Sequence, residues 1–171
     1  PVETVALRLF NVFGPGQALS NPYTGVLANF ASRLANGEPP LIFEDGGQKR
    51  DFVHVRDVAR AFRLALESKS AAGQVVNIGS GNAYTIRQAA ELTADAMGMP
   101  EVQPEILGKM RSGDIRHCFA DISKAHDLLG FEPLHRLEEA VGEFTEWVRE
   151  TGAMGNAARR RRQLADRGLV S

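Results

Sequence analysis

A chain of 171 residues with 43% hydrophobic and 24% charged side chains suits one globular core and excludes a disordered or fibrous protein. Its 20 Lys and Arg against 21 Asp and Glu leave a formal charge of −1, so no overall basic field draws it to nucleic acid or to a membrane. The single Cys118 excludes an internal disulfide, no Cys/His spacing suits zinc, and no apolar run could cross a bilayer, so a cytoplasmic location is expected.

The chain starts at Pro1, and Val5–Phe10 follows as a mostly apolar run, as in a strand covered on both faces of a parallel sheet. Such a strand needs neighbours, so the sequence reads as beginning within a domain. Asn11 to Tyr23 is a turn-rich loop holding Gly14-Pro15-Gly16 and Asn21-Pro22. A helix is predicted over Thr24–Asn36, capped by Thr24, with Val26, Leu27, Phe30 and Leu34 as its apolar face and Gly37 as its stop. A short strand Leu41-Ile42-Phe43 and a turn at Asp45-Gly46-Gly47 come next. Arg50 to Val55 alternates polar and apolar, which predicts a strand with one wet face.

Asp57 is expected to begin the next helix, with Val58, Ala61, Phe62, Ala65 and Leu66 buried. Gln74–Ile78 reads as a second buried strand, Gly79-Ser80-Gly81 as a tight turn, and Thr85 as the cap of a helix through Met97. Val102–Leu107 and His117–Ala120 look extended. Asp121 or Ser123 should cap a short helix ended by Gly130, and Val141, Phe144 and Val148 mark a last amphipathic helix over Leu137–Thr151. Strands alternating with helices predict an α/β fold with parallel pairing, over residues 1–151, followed by an Arg-rich tail, 152–171, that carries Arg159–Arg162.

A diphosphate ligand needs converging positive charge, and arginine supplies it with a planar fork that engages phosphate oxygens bidentately. Arg50, beside a Gly-rich turn, and Arg111, in Arg111-Ser112-Gly113-Asp114, stand in loop contexts, where α/β folds bind ligands. Whether they converge or are solvated separately stays open at this level. Asn11 and Asn77 lie at strand ends, where an amide could meet an anion or simply start a turn. Gly79-Ser80-Gly81 fails as a dinucleotide fingerprint, because Tyr84 stands where the third glycine belongs. His54 reads as structural, Cys118 as a half-buried strand residue, and the arginine run as a solvated tail.

Five strings in order carry a resemblance: Leu7-Arg8-Leu9-Phe10-Asn11-Val12-Phe13-Gly14-Pro15-Gly16, Asn21-Pro22-Tyr23-Thr24-Gly25-Val26, Arg50-Asp51-Phe52-Val53-His54-Val55-Arg56-Asp57-Val58-Ala59, Asn77-Ile78-Gly79-Ser80-Gly81, and Arg111-Ser112-Gly113-Asp114 with Ala120-Asp121-Ile122-Ser123-Lys124-Ala125. Over roughly residues 5–150 the chain resembles the extended short-chain dehydrogenase/reductase family, the NAD-dependent nucleotide-sugar epimerases and dehydratases, with UDP-glucose 4-epimerase-like members. The resemblance implies the C-terminal part of a Rossmann-type fold: the last strands of the parallel sheet plus a small α/β substrate-binding domain. It implies a UDP- or dTDP-sugar ligand, with Asn11 on the pyrophosphate, Arg50 and Arg111 clamping phosphate and ribose, and Asp114 taking a ribose hydroxyl or orienting Arg111. Val26 and Leu41 to Phe43 would line the base pocket, Asn77 would sit near the nucleotide, and Leu9 would touch the nicotinamide end of NAD.

The chain departs from the family pattern where hydride chemistry is expected. Tyr-x-x-x-Lys is absent, since Tyr23 is followed by Leu27 and Tyr84 by Gln88, and the Gly-rich NAD loop is absent as well. The expectation is therefore a substrate-binding portion of such an enzyme without turnover of its own, or alternatively a stand-alone module that binds a nucleotide-sugar, or a non-functional relic. The apolar first strand predicts an open sheet edge and self-association through it.

Overall fold

The computed structural model describes residues 2–19, 25–110 and 113–151. The expected cap Thr24, the site candidate Arg111 and the tail at 152–171 lie outside the described residues. The first long strand is split by a change of partner. Its first part, β1 (Ala6–Leu9), pairs in parallel with β6 (Val75–Ile78), and its second, β2 (Asn11–Phe13), pairs in parallel with β5 (Phe52–His54). The handover takes one residue: Phe10 N–H donates to the Ile78 carbonyl at 3.0 Å and Asn11 N–H to the Asp51 carbonyl at 3.1 Å.

Between these strands the chain builds α1 (Val26–Ala35), β3 (Leu41–Ile42), β4 (Lys49–Arg50) and α2 (Val55–Glu67). After β6 come β7 (Tyr84–Thr85), α3 (Ile86–Ala96), β8 (Glu105–Ile106), β9 (His117–Cys118), α4 (Ser123–Leu129) and α5 (Leu137–Glu150). β3 pairs with β8 in parallel, and β4 lies between antiparallel β7 and parallel β9. This is the expected α/β fold, with parallel strands joined by helical crossovers. Among the described residues no helix is long and apolar enough to cross a membrane.

Two hydrophobic clusters share the wall made by β2 and β5. α1, α3 and α5 enclose the larger, around Phe13, Phe30, Phe52 and Phe144. α2, α4 and β6 enclose the smaller, around Val53, Val76, Ile78 and Phe131. Phe52 and Val53 are consecutive and face different clusters, because side chains alternate along a strand. This corrects the expected wet face: Asp51, Phe52, Val53 and His54 are all buried. The polar members of the alternation are enclosed with their hydrogen bonds rather than turned to water.

α2 corrects two further expectations. The helix starts at Val55, capped by His54, whose Nδ1 accepts from Arg56 N–H at 3.4 Å, so Asp57 sits inside the first turn. Its buried stripe is the narrow one of Val58, Ala61 and Ala65, while Phe62 and Leu66 stand 50% and 89% exposed. Their side of the helix has no covering layer among the described residues. β1 is likewise open: among the described residues it pairs with β6 alone, and Ala6, Arg8 and Leu9 are exposed rather than enclosed on both faces.

Helix ends otherwise follow the sequence. Thr85 and Gln88 form the reciprocal capping box of α3. Asp121 serves α4 from one position before the cap residue Ile122, its Oδ1 accepting from Ser123 N–H at 2.9 Å. Gly130 ends α4 with φ +60, the left-handed geometry that glycine adopts at least cost. At the start of α1 the cap position is held by Gly25.

Candidate functional site

The site begins with a buried acid. Asp51, in the gap between β4 and β5, is 0% exposed, and its carboxyl accepts three backbone N–H groups: Ser80 at 2.7 Å, Gly81 at 3.0 Å and Ala120 at 3.2 Å. A buried carboxyl is stable only when its oxygens are satisfied, and these donors satisfy them while tying three segments together. Gly79 has to be glycine here, since a Cβ would stand 2.4 Å from Ala120 Cβ and 2.6 Å from Asp51 Oδ2. The Gly79-Ser80-Gly81 turn thus has its free donors occupied by Asp51. With the Ser80 and Gly81 N–H groups taken and the third glycine missing, the turn is unsuited to cradle a dinucleotide phosphate.

On either side of Asp51 stand two of the expected ligand residues. Asn11, exposed at the start of β2, is the register partner of Phe52, and its N–H bonds the Asp51 carbonyl. Arg50 precedes Asp51, half-buried on β4, and its Nη1 donates to the carbonyls of Lys49 at 2.8 Å and Arg116 at 3.0 Å. Its strand is in register with β9, where Arg50 faces Cys118 and Lys49 faces His117. Asn11 is thus in register two residues beyond Arg50, and its N–H bonds the carbonyl of the residue between them, where the strand changes partner. Diverging strand ends of this kind form the crevice in which open α/β sheets hold ligands.

Asn77 is near the end of β6; its Nδ2 makes a long 3.4 Å contact to the Asp121 carbonyl, and its buried Oδ1 has no hydrogen-bond partner among the described residues. Leu9 ends β1, 41% exposed and in register with Ile78. Val26 opens α1 and packs on the larger cluster. Leu41 is in β3 and half-buried; Phe43, expected in the same strand, falls in the turn just after it. Asp114 is half-buried on the segment leading into β9.

Several residues settle into structural work. Tyr84 donates its hydroxyl to Glu138 at 2.8 Å, and burial together with that carboxylate pushes it up to about 12, which disfavours the deprotonation a general base requires. Asp57, 1% exposed, accepts from the N–H groups of Leu134 and His135, so it is not paired with Asp51. His54 is stacked on His135 at 4.6 Å between ring centres, and burial lowers its pKa from the usual value, with the neighbouring His135 adding to the shift. Cys118 is free and half-buried. Among the described residues no group of three His, Cys, Asp or Glu could hold a metal.

The sequence reading missed Arg116. Its Nη1 and Nη2 bond Glu44 and Asp45, each at 2.8 Å, and fasten the segment before β9 to the turn after β3. Arg116 and the Gly47 N–H hold the Asp45 carboxyl down at about 2, so this grip keeps its charge at neutral pH. Only the positions of Glu44 and Asp45 at a Gly-rich turn hinted at it, and the sequence did not say which basic residue would reach them.

Residues 2–79 match the NAD dependent epimerase/dehydratase family. The dTDP-L-rhamnose 4-epimerase of Burkholderia thailandensis is 43% identical over 143 residues, which are 83% of this chain and 39% of that protein. A putative UDP-glucose 4-epimerase of Methanocaldococcus jannaschii is 32% identical, covering 86% and 46%. Among solved structures, the UDP-N-acetylglucosamine 4-epimerase of Methanobrevibacter ruminantium, in complex with UDP-N-acetylmuramic acid, superposes with a TM-score of 0.80 at 38% identity, over 88% of this chain and 47% of that one. The UDP-glucose 4-epimerase of Thermotoga maritima with UDP-glucose gives 0.79, also at 38% identity, over 88% and 47%. The chain spans less than half the length of these relatives and matches the C-terminal portion of their Rossmann-type fold. On its motifs, its fold and these likenesses together, the chain belongs to the NAD-dependent nucleotide-sugar epimerase/dehydratase family.

Proposed function

We propose that residues 1–151 form the nucleotide-diphosphate-sugar-binding portion of an NAD-dependent sugar-nucleotide epimerase or dehydratase, with 152–171 a tail outside the site. The observation that carries the reading is the backbone bond from Asn11 N–H to the carbonyl of Asp51, the residue after Arg50, at the point where β1 leaves β6 and β2 takes up β5. An amide and a guanidinium offered from the same strand-end crevice would suit a pyrophosphate. Arg111 and Asp114 would complete the grip from the segment that leads into β9, and Asn77 would meet the nucleotide. Val26, Leu41 and Phe43 would offer the base an apolar wall, and Leu9 would face the nicotinamide. Relatives named for UDP- and dTDP-sugars support both bases as ligands. Binding energy gathered on the diphosphate orients the sugar, and the family's NAD supplies the hydride chemistry when bound.

Titration calorimetry with UDP and dTDP tests this. Arg50→Ala removes charge-assisted hydrogen bonds worth about 1.5–3 kcal/mol, so affinity should fall roughly ten- to a hundredfold. Arg50→Lys should recover only part, because an ammonium lacks the bidentate fork. Unchanged affinity in Arg50→Ala would remove this residue from the site.

A further inference from the structure

Three parts of the candidate site meet on Arg116. Its guanidinium donates to Glu44 Oε2 and Asp45 Oδ2, while its carbonyl accepts from Lys49 N–H at 3.2 Å and from Arg50 Nη1 at 3.0 Å. The Glu44 side chain is only 7% exposed, and its backbone holds φ +55, the left-handed region that a residue with a side chain adopts at a cost. The surroundings enforce that conformation: Glu44 N–H donates to the Lys109 carbonyl, and Gly108 N–H to the Glu44 carbonyl. An ordinary surface ion pair, with both partners free to swing, would need none of this.

We infer that Arg116 is a positioning residue for nucleotide-diphosphate binding: gripped by Glu44 and Asp45, it holds its carbonyl as the acceptor that aims Arg50. The inference rests on the nucleotide-sugar reading above. Among the described residues Arg50 uses only Nη1 in these bonds, which leaves Nη2 and Nε to face an anion. A guanidinium already held at one nitrogen loses less rotamer freedom when it takes a phosphate with the others. The grip on Arg116 is therefore transmitted to the ligand without Arg116 touching it.

A double-mutant cycle read by calorimetry with UDP separates this role from a general loosening of the loop. Arg116→Ala should weaken UDP binding about tenfold when Arg50 is present and less than about twofold in an Arg50→Ala background, because partners in one network are non-additive. Thermal unfolding of each variant establishes that the fold persists. Should Arg116→Ala fail to fold, Asp45→Asn loosens the exposed half of the same grip. It should weaken binding severalfold with Arg50 and not in the Arg50→Ala background. Equal losses in both backgrounds, or no loss at all, overturn the inference. A parent chain that takes up neither UDP nor dTDP overturns the nucleotide reading itself, whereas parent binding that Arg116→Ala leaves untouched overturns only the role of Arg116.

Discussion

The two hydrophobic clusters differ in what their enclosing elements expose on the outside. Around Phe30, Phe52 and Phe144, three helices and the β2–β5 wall surround the larger cluster, and its principal side chains are at most 2% exposed. The smaller cluster is itself buried, at most 8% exposed, but the elements that enclose it also carry bare apolar side chains outside it: Leu9 on β1 and Phe62 and Leu66 on α2 reach the surface at 41%, 50% and 89%. One region is a finished core and the other is one side of a layered sheet. The cheapest way to break this contrast is to cut into each. Phe144→Ala should cost about 3–5 kcal/mol, whereas Leu66→Ala should stay within about 0.5 kcal/mol, both read by urea denaturation. Comparable losses would mean that Leu66 is covered in solution.

The junction between the regions is the next most sensitive place. Gly79→Ala drives a methyl into Ala120 Cβ and Asp51 Oδ2, at 2.4 and 2.6 Å, and neither neighbour is the far end of a flexible side chain. The expected cost is about 1–3 kcal/mol or more, because the ties from Asp51 to Ser80, Gly81 and Ala120 must shift together. A Gly79→Ala chain with parental denaturation midpoint would show that the turn is loose enough to take the methyl.

The same contrast governs what could be read from the sequence. Helix positions, the Thr85 cap, the Gly130 stop and the core of α5 were legible, because periodicity and capping are local. Long-range enclosure was not. The alternation of Arg50 to Val55 suggested a wet face, since no sequence pattern says that Phe52 and Val53 will face different clusters. Phe62 and Leu66 were placed inside for the converse reason: their apolar character suits a helix face that the described chain does not cover. In the site, Asn11 and Arg50 could be named from motifs. That the Asn11 N–H meets the carbonyl next to Arg50 needed the β2–β5 pairing, and Arg116 needed a pairing with Glu44 that spans 72 positions.

An open edge of β1 beside exposed apolar side chains should self-associate. Strand edges with free donors and acceptors template further pairing. Sedimentation of the 171-residue chain should show concentration-dependent association, and Leu9→Lys with Leu66→Glu should shift it toward monomer while barely moving the unfolding midpoint. A parent chain that remains monomeric at high concentration would leave that flank without a partner in solution.

The smallest expected effect comes from the closed side of the wall, at His54. It is buried against Phe13 and His135, with Arg56, Asp57 and Glu143 also nearby, and burial leads the causes that lower its pKa below 6.5. For a histidine depressed in the folded state, both states are neutral above pH 6.5, and the chain keeps its full stability there. Below that pH the unfolded chain takes the proton first. Stability should then fall with acidification, at no more than about 1.4 kcal/mol per pH unit from this one group, until the folded-state pKa is passed. His54→Asn keeps an acceptor for the Arg56 N–H, as a helix cap requires, and removes the titration. Urea midpoints across the acid range should therefore fall less steeply in His54→Asn than in the parent. Parallel acid limbs would show that His54 does not carry the pH sensitivity.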